Sequence, residues 1–330
     1  MTPFSNPPIR IDFWYGNEQW VGRRGLPQRW ANVLGRVTSD CPIHLVRWKR
    51  ESGDEFLPLC LGPTAYRLHA PGDFNIELDT DTLQEGANRL VVQAMDVRGR
   101  TAEESLTLHY LPHRNLLFPH RVDWSACHRI DDAAQVVDGR WMLTAGGARA
   151  TDRAYDRAIA LGDRNWTDYQ VTTTLTLHRF DRENPLAFAH PSVHCWAGLV
   201  LRWQGHHDWH DMYPRRGWHP FGAIIGCEIR QPEHTPRWSL FGNRMRLIAH
   251  DEGQQSVAPD TPYHLKALVQ TRSDGISHYR AKVWTVGESE PDTWLLEGPG
   301  AWSELKRGSV LLVAHHTEAI FGPVTVETLP

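Results

Sequence analysis

Tyr169-Gln-Val-Thr-Thr-Thr-Leu-Thr-Leu177 alternates without a break. Tyr169, Val171, Thr173, Leu175 and Leu177 fall on one side of a pleated strand, and Gln170, Thr172, Thr174 and Thr176 fall on the other. Aromatic and β-branched residues suit such a surface, so the stretch reads as a strand with one dry and one wet side. Similar runs precede it at Ile9–Phe13, Ala31–Val37, Ile43–Trp48, Phe74–Leu78, Gly86–Ala94, Ser105–Tyr110 and Arg140–Leu143. Others follow at Tyr263–Gln270, His278–Trp284, Gly308–His315 and Gly322–Glu327, with Asp138-Gly139 and Asp274-Gly275 as turn signals. Helical periodicity is nearly absent, so the fold class is all-β.

The short strands up to Tyr110 indicate a first sandwich, and Leu111–His120 is a Pro-bounded, rather apolar connection that favours close docking. The longer series of strands beyond it fits one large jelly roll. The expected division is residues 1–112 and 113–330.

Trp14-Tyr-Gly, Pro27-Gln-Arg-Trp-Ala-Asn, Arg67-Leu, Gly72-Asp-Phe-Asn, Gly86-Ala-Asn and Ala94-Met-Asp-Val-Arg-Gly carry a resemblance across the first segment. It resembles an immunoglobulin-like (Ig-like) module found in front of bacterial laminin-G-like domains. Asp138-Gly-Arg-Trp, Tyr155-Asp-Arg, Trp166-Thr-Asp-Tyr, Gly198-Leu-Val-Leu-Arg-Trp, Tyr263-His-Leu-Lys, Ala281-Lys-Val-Trp and Phe321-Gly-Pro-Val-Thr-Val carry the second. That half resembles the concanavalin A-like, laminin-G-like superfamily. The resemblance implies an N-terminal Ig-like β-sandwich and a C-terminal concanavalin A-like jelly roll that binds glycans, cleaves them or mediates protein contacts; fold alone does not choose.

The chain of 330 residues has a formal net charge of −4 and no basic stripe, which argues against nucleic acid as a partner. Fifteen Trp residues are abundant material for core and for interaction surfaces. Cys41, Cys60, Cys127, Cys195 and Cys227 lack metal or redox spacing. Scattered thiols are the simpler reading, with Cys41–Cys60 and Cys195–Cys227 as possible disulfides. The start, Met1-Thr-Pro-Phe-Ser-Asn-Pro-Pro8, lacks the pattern of a signal peptide, and no apolar run reaches the length of a membrane span. A soluble chain is expected, cytoplasmic or secreted with its leader already removed.

The strand Ala197–Gln204 opens into a polar insertion, Gly205–Gly222, dense in His, Trp, Tyr and Arg. Simple pleating points Leu199, Leu201 and Trp203 to the core and Val200, Arg202 and Gln204 to a wet concave face. The candidate catalytic set is Arg202, His206, His210 and Tyr213, with His315 or His316, whose adjacency lets only one face the wet side. Arg202 would neutralise a uronate carboxylate; Lys266 or Lys282 would join the face. Gln204, Trp209, Trp218, Glu228, Arg230 and Trp238 are the candidate substrate-binding residues, by stacking and directional bonds. In the competing structural role, Arg202 pairs with Glu228 and ties the insertion to the sheet.

His206, Asp208 and His210 alternate in a way that would suit zinc, and Asp131, Asp132 and Asp163 are oxygen donors for structural calcium, but neither set has an ordered motif spacing. No metal or cofactor is therefore assigned, with calcium the one structural possibility. An ExDxxE strand, GxSxG, a P-loop and a dinucleotide fingerprint are missing. Trp14, Tyr15, Trp20, Arg23, Arg24 and Trp30 read as a packed collar between the halves. The resulting expectation is a saccharide-directed protein, a lyase or glycoside hydrolase if catalytic. The competing classes are a non-catalytic lectin or adhesion module and a protein-interaction scaffold.

Overall fold

A computed structural model describes residues 8–112, 116–180, 195–207, 213–229, 235–253, 255–301 and 305–329. The fold is all-β, and its described helical elements are single 3-10 turns such as Trp124–Ala126. Four sheets make it up.

In the first half, Ile9–Phe13, Trp30–Ser39 and Asp73–Asp79 form a three-stranded sheet. It faces a five-stranded sheet of Glu18–Val21, Thr101–Tyr110, Gly86–Asp96, Ile43–Arg50 and Leu57–Pro58. Phe13, Val33, Phe74, Ile76, Val92 and Leu106 fill the space between them. Alternation places these residues inward. The other side of Asp73–Asp79 is also dry: Asn75 donates to Asn32 Oδ1 at 3.0 Å within the same half, and Glu77 accepts from Arg67 and, from the second half, from the Arg215 amide at 2.7 Å.

The second half stacks a seven-stranded sheet on a nine-stranded one. The seven strands run in the order Gln135–Asp138, Arg157–Leu161, Ser309–His315, Cys195–Trp203, Ala223–Ile229, Pro236–Gly242, Arg246–His250. Tyr169–Phe180 is central to the nine-stranded sheet, and its Tyr169, Val171, Thr173, Leu175 and Leu177 are buried while the intervening residues are half-exposed. Leu199, Leu201, Ile225, Leu240 and Leu265 complete the core between the sheets. Lys266 and Lys282 lie on the nine-stranded sheet, where both reach Glu290, so the expectation that they share a face with Arg202 is corrected.

The outer face of the seven-stranded sheet is mostly dry. Val200, Trp203, Phe221, Ile224, Leu311 and Val313 pack there as a separate apolar cluster. The insertion covers it from one side, and residues 26–30 seal one end. Ser309 Oγ donates to the Pro27 carbonyl at 2.6 Å, the Arg29 amide to the Gln204 carbonyl at 3.1 Å, and Trp30 Nε1 to the His206 carbonyl at 2.7 Å. The collar residues Trp14 and Tyr15 pack on the sandwich core, with the Tyr15 hydroxyl donating to the Gly139 carbonyl at 2.8 Å. All five cysteines are free thiols, so neither disulfide forms.

Candidate functional site

Arg202 does not face an open cleft. Pairing slips by one residue between Leu201 and Trp203, and Arg202 takes φ 55° in the left-handed region. Such a bulge reverses the alternation after it. Trp203 therefore joins Val200 on the outer face, and the expected grouping of Trp203 with Leu199 and Leu201 is corrected. The turn is possible because Gly308 lies against it: a Cβ there would sit 2.3 Å from the Arg202 carbonyl carbon.

The Arg202 side chain is fully buried and donates to the Asp168 carboxylate at 2.8 Å, to Thr271 and Ser277 Oγ at 2.7 Å, and to the Thr167 and Leu305 carbonyls at 3.1 Å. Its acid partner is Asp168; Glu228 instead accepts from Ser239 Oγ at 2.6 Å and Arg237 Nε at 3.2 Å. Both expected roles of Arg202, catalytic and paired to Glu228, are thus overturned. Arg202→Met is expected to lower folding stability by about 2–4 kcal/mol, because Asp168 and several polar groups lose a charged donor. Urea unfolding checks this; unchanged stability with lost sugar retention would return Arg202 to the site.

His206 is also sealed away. Its ring lies edge-on to Trp203 and Trp218, 5.0 and 5.5 Å between centroids, and only 2% of the residue is exposed. Burial, with the Arg67 charge acting the same way, pushes its pKa well below the usual imidazole value. A neutral ring without solvent access cannot exchange protons with a substrate, so the acid/base role expected of His206 is corrected. Half-exposed Gln204 donates to the Arg164 and Arg307 carbonyls at 2.8 and 3.1 Å, and Trp238 is buried between the sheets, away from ligand contact. Tyr213 is exposed, with the Arg215 guanidinium 4.8 Å from its ring centroid. Asp208, Trp209, His210 and Arg230 lie outside the described residues.

The remaining candidates converge. Across four neighbouring strands of the outer face, His315, Trp196, Glu228 and Arg237 pair in register as one row. Asp156 precedes Arg157–Leu161, whose Arg157 pairs with Ala314, and this brings the Asp156 carboxylate to His315 Nδ1 at 2.6 Å. Its second oxygen accepts from Trp218 Nε1 at 2.6 Å. Asp156 and His316 both take left-handed backbone, φ 46° and 48°, and the His316 amide donates to the Ala154 carbonyl at 2.9 Å. For non-glycine residues these conformations are strained, and such strain gathers at functional sites.

Around the pair stand aromatic rings. Trp196 stacks on His315 with 6.4 Å between centroids, Tyr155 meets it edge-on at 5.0 Å, and Tyr66 meets Tyr155 at 5.2 Å. Beyond Trp196 the face has a small dent lined by Trp196, Ile224, Gly226, Glu228, Ser239 and Phe241. Another crevice, between Trp20–Gly25 and Ala133–Gln135, has its flanking Arg23 and Asp132 at 3.8 Å from each other and no acid–base pair.

Chemically, Asp156 fixes the histidine tautomer. When the ring is neutral, a bond from Nδ1–H to Asp156 leaves Nε2 as the lone-pair acceptor. His316 stays neutral, since burial and the adjacent His315 push its pKa down to about 3. Burial and then the Asp156 charge raise the Tyr155 phenol, which keeps its proton. The arrangement holds one oriented base and one protonated donor beside aromatic faces.

The acidic residues considered for calcium are engaged by the chain itself. Asp131 accepts from Arg129, Asp132 from the His128 and Arg129 amides, and Asp163 from the Asn165 amide. Asp40, Cys41 and Asp96 are the one metal-compatible group among the described residues, and both carboxylates there bind Arg100. Sequence reasoning named His315, His316 and Trp218 but missed Tyr66, Tyr155, Asp156 and Trp196. Tyr155-Asp-Arg was visible only as a scaffold motif.

No protein-family model matches the chain, and no curated protein does. Among solved structures, the alginate lyase Aly36B in complex with alginate tetrasaccharide is similar over 64% of this chain and 98% of that one, at 12% identity and TM-score 0.36. A Bacillus subtilis protein of unknown function with a galectin-like fold covers 59% of this chain and 86% of its own, at 13% identity and TM-score 0.34. Carbohydrate-binding modules from the β-sandwich superfamily are 10% identical with TM-score 0.21, over 98% of each chain. These neighbours are all-β, and at such scores they assign no activity to this chain.

Proposed function

We propose that this chain is a saccharide-directed protein, an Ig-like module of residues 1–112 docked on a concanavalin A-like, laminin-G-like jelly roll of residues 113–330. The sugar lies over Trp196 and in the adjoining dent, with Glu228 and Ser239 at its edge. His315 Nε2 takes a proton from the bound sugar or its nucleophile, and the Tyr155 hydroxyl gives one to the leaving oxygen. The observation that carries this reading is the Asp156–His315 pair set beside Tyr155 between two strained backbone positions.

The test is a polysaccharide panel of uronic-acid polymers and neutral glucans, scored for new reducing ends and for unsaturated products. His315→Ala and Tyr155→Phe are expected to lose about 10²–10⁴-fold in cleavage rate, the usual contribution of a positioned acid or base. Reducing ends with unsaturation identify a lyase, and reducing ends without it a hydrolase. Retention without cleavage favours the lectin reading, for which the aromatic faces of Trp196, Trp218 and Tyr66 suffice. In that case Trp196→Ala abolishes retention and His315→Ala does not.

A further inference from the structure

We infer that the saccharide is acidic and that Arg216 reads its carboxylate. This deepens the reading just given and rests on it.

Among the described residues, Arg67, Arg157 and Arg215 beside the site are matched to acids and Arg216 is not. Arg67 binds Glu77 and Asp138, Arg157 binds Asp152 and Asp138, and Arg215 binds Glu77. Arg216 is half-buried and has no acidic partner among the described residues; its guanidinium lies 4.2 Å above the centre of the Tyr66 ring. Asp156 is not its partner: the Asp156 oxygens accept from His315 and Trp218.

The position of this charge is fixed from both sides. On one, the Arg215 amide donates to Glu77 at 2.7 Å, and the Arg215 carbonyl accepts from Arg67. On the other, Gly217 exchanges two backbone bonds with His207, at 2.8 and 3.2 Å. Tyr66, the platform under the guanidinium, is itself next to Arg67, which is anchored to Asp138 and to the Val137 carbonyl.

Stacking uses the face of a guanidinium and leaves its edge donors for a planar oxyanion. Tyr66 in turn touches Tyr155, which touches His315. A carboxylate held on the edge of Arg216 would lie along the same row of rings that leads to the base. The first half of the molecule, through Tyr66, thereby helps set the charge preference of a site on the second.

The experiment measures binding of oligogalacturonate and oligomannuronate tetrasaccharides, and of their carboxyl-reduced counterparts, to the full chain by calorimetry. The wild type is expected to prefer the acidic forms by about ten- to hundredfold, the size of one charge-assisted bidentate contact. Arg216→Gln should erase the preference while still binding the reduced forms, which also shows that it folds. Arg216→Lys should restore part of it, and added salt should shrink it.

Equal affinity of the wild type for acidic and reduced forms overturns the inference and leaves the saccharide reading standing. A preference that survives in Arg216→Gln overturns the role of Arg216. Binding of none of the four ligands removes the inference together with the reading beneath it.

Discussion

Replacing Arg67 by Met is expected to cost roughly 3–5 kcal/mol of folding free energy, the size seen when one member of a buried ion network is removed. Arg67, Glu77 and Asp138 are each 1% exposed at the side chain. Nε donates to Asp138 at 2.7 Å and Nη2 to the Val137 carbonyl at 2.9 Å. Burial works against the Arg67 charge, but the Asp138 and Glu77 charges outweigh it and raise its pKa. Met fills similar space and supplies no donor. Asp138 would retain the Gly139 amide at 2.8 Å and Arg157 at 3.7 Å, and Glu77 the Arg215 amide at 2.7 Å and its guanidinium at 3.3 Å; the charge pairs left are longer than those lost. Urea unfolding measures the cost, and adding Glu77→Gln should recover part of it through coupling. A loss below about 1 kcal/mol would mean that water already shares the network.

The second large effect is acid lability well above the carboxylate range. His206, His316 and His120 are buried and held neutral: His206 is shifted well down, His316 to about 3 and His120 to about 4 from an ordinary value of 6.5. Depressed folded-state pKa values mean that the unfolded chain binds protons the folded chain refuses. Stability is complete above about pH 6.5 and falls as pH drops toward the folded values. His316 and His120 each contribute roughly 2 kcal/mol of loss between pH 7 and pH 5, and His206 adds to it in the same direction. Asp79 and Asp96, whose pKa values are lowered, act only at lower pH. Denaturation curves at pH 7 and pH 5 test the slope, and His206→Phe should make it shallower. A stability unchanged over that interval would mean that these rings accept protons in the folded state.

Strands were legible where burial and alternation agree. Tyr169–Phe180 has one core face and one wetter face, so its period of two appears directly in the letters. The site was harder to read for two physical reasons. The bulge at Arg202 is a local backbone event, and a one-residue slip exchanges faces without any change in composition. An arginine flanked by apolar residues therefore looked like a wet-face residue, when five partners were waiting for it inside. The other reason is distance along the chain. Asp156 meets His315 only because their strands pair, and Tyr66 reaches the cluster only because the two halves dock. His315, His316 and Trp218 were nameable from residue type; their partners required the fold.

The junction between the halves limits how the chain can be inherited. Arg67 completes the charge balance of Asp138, Gln28 accepts from Trp203 Nε1 at 3.3 Å, and Pro27 accepts from Ser309 Oγ. A gene that acquired only the later half would encode an acid that has lost its shorter ion pair and an apolar sheet end without its cover. Recombination at Pro112 would thus yield two fragments with exposed interior surface, not two transferable cassettes.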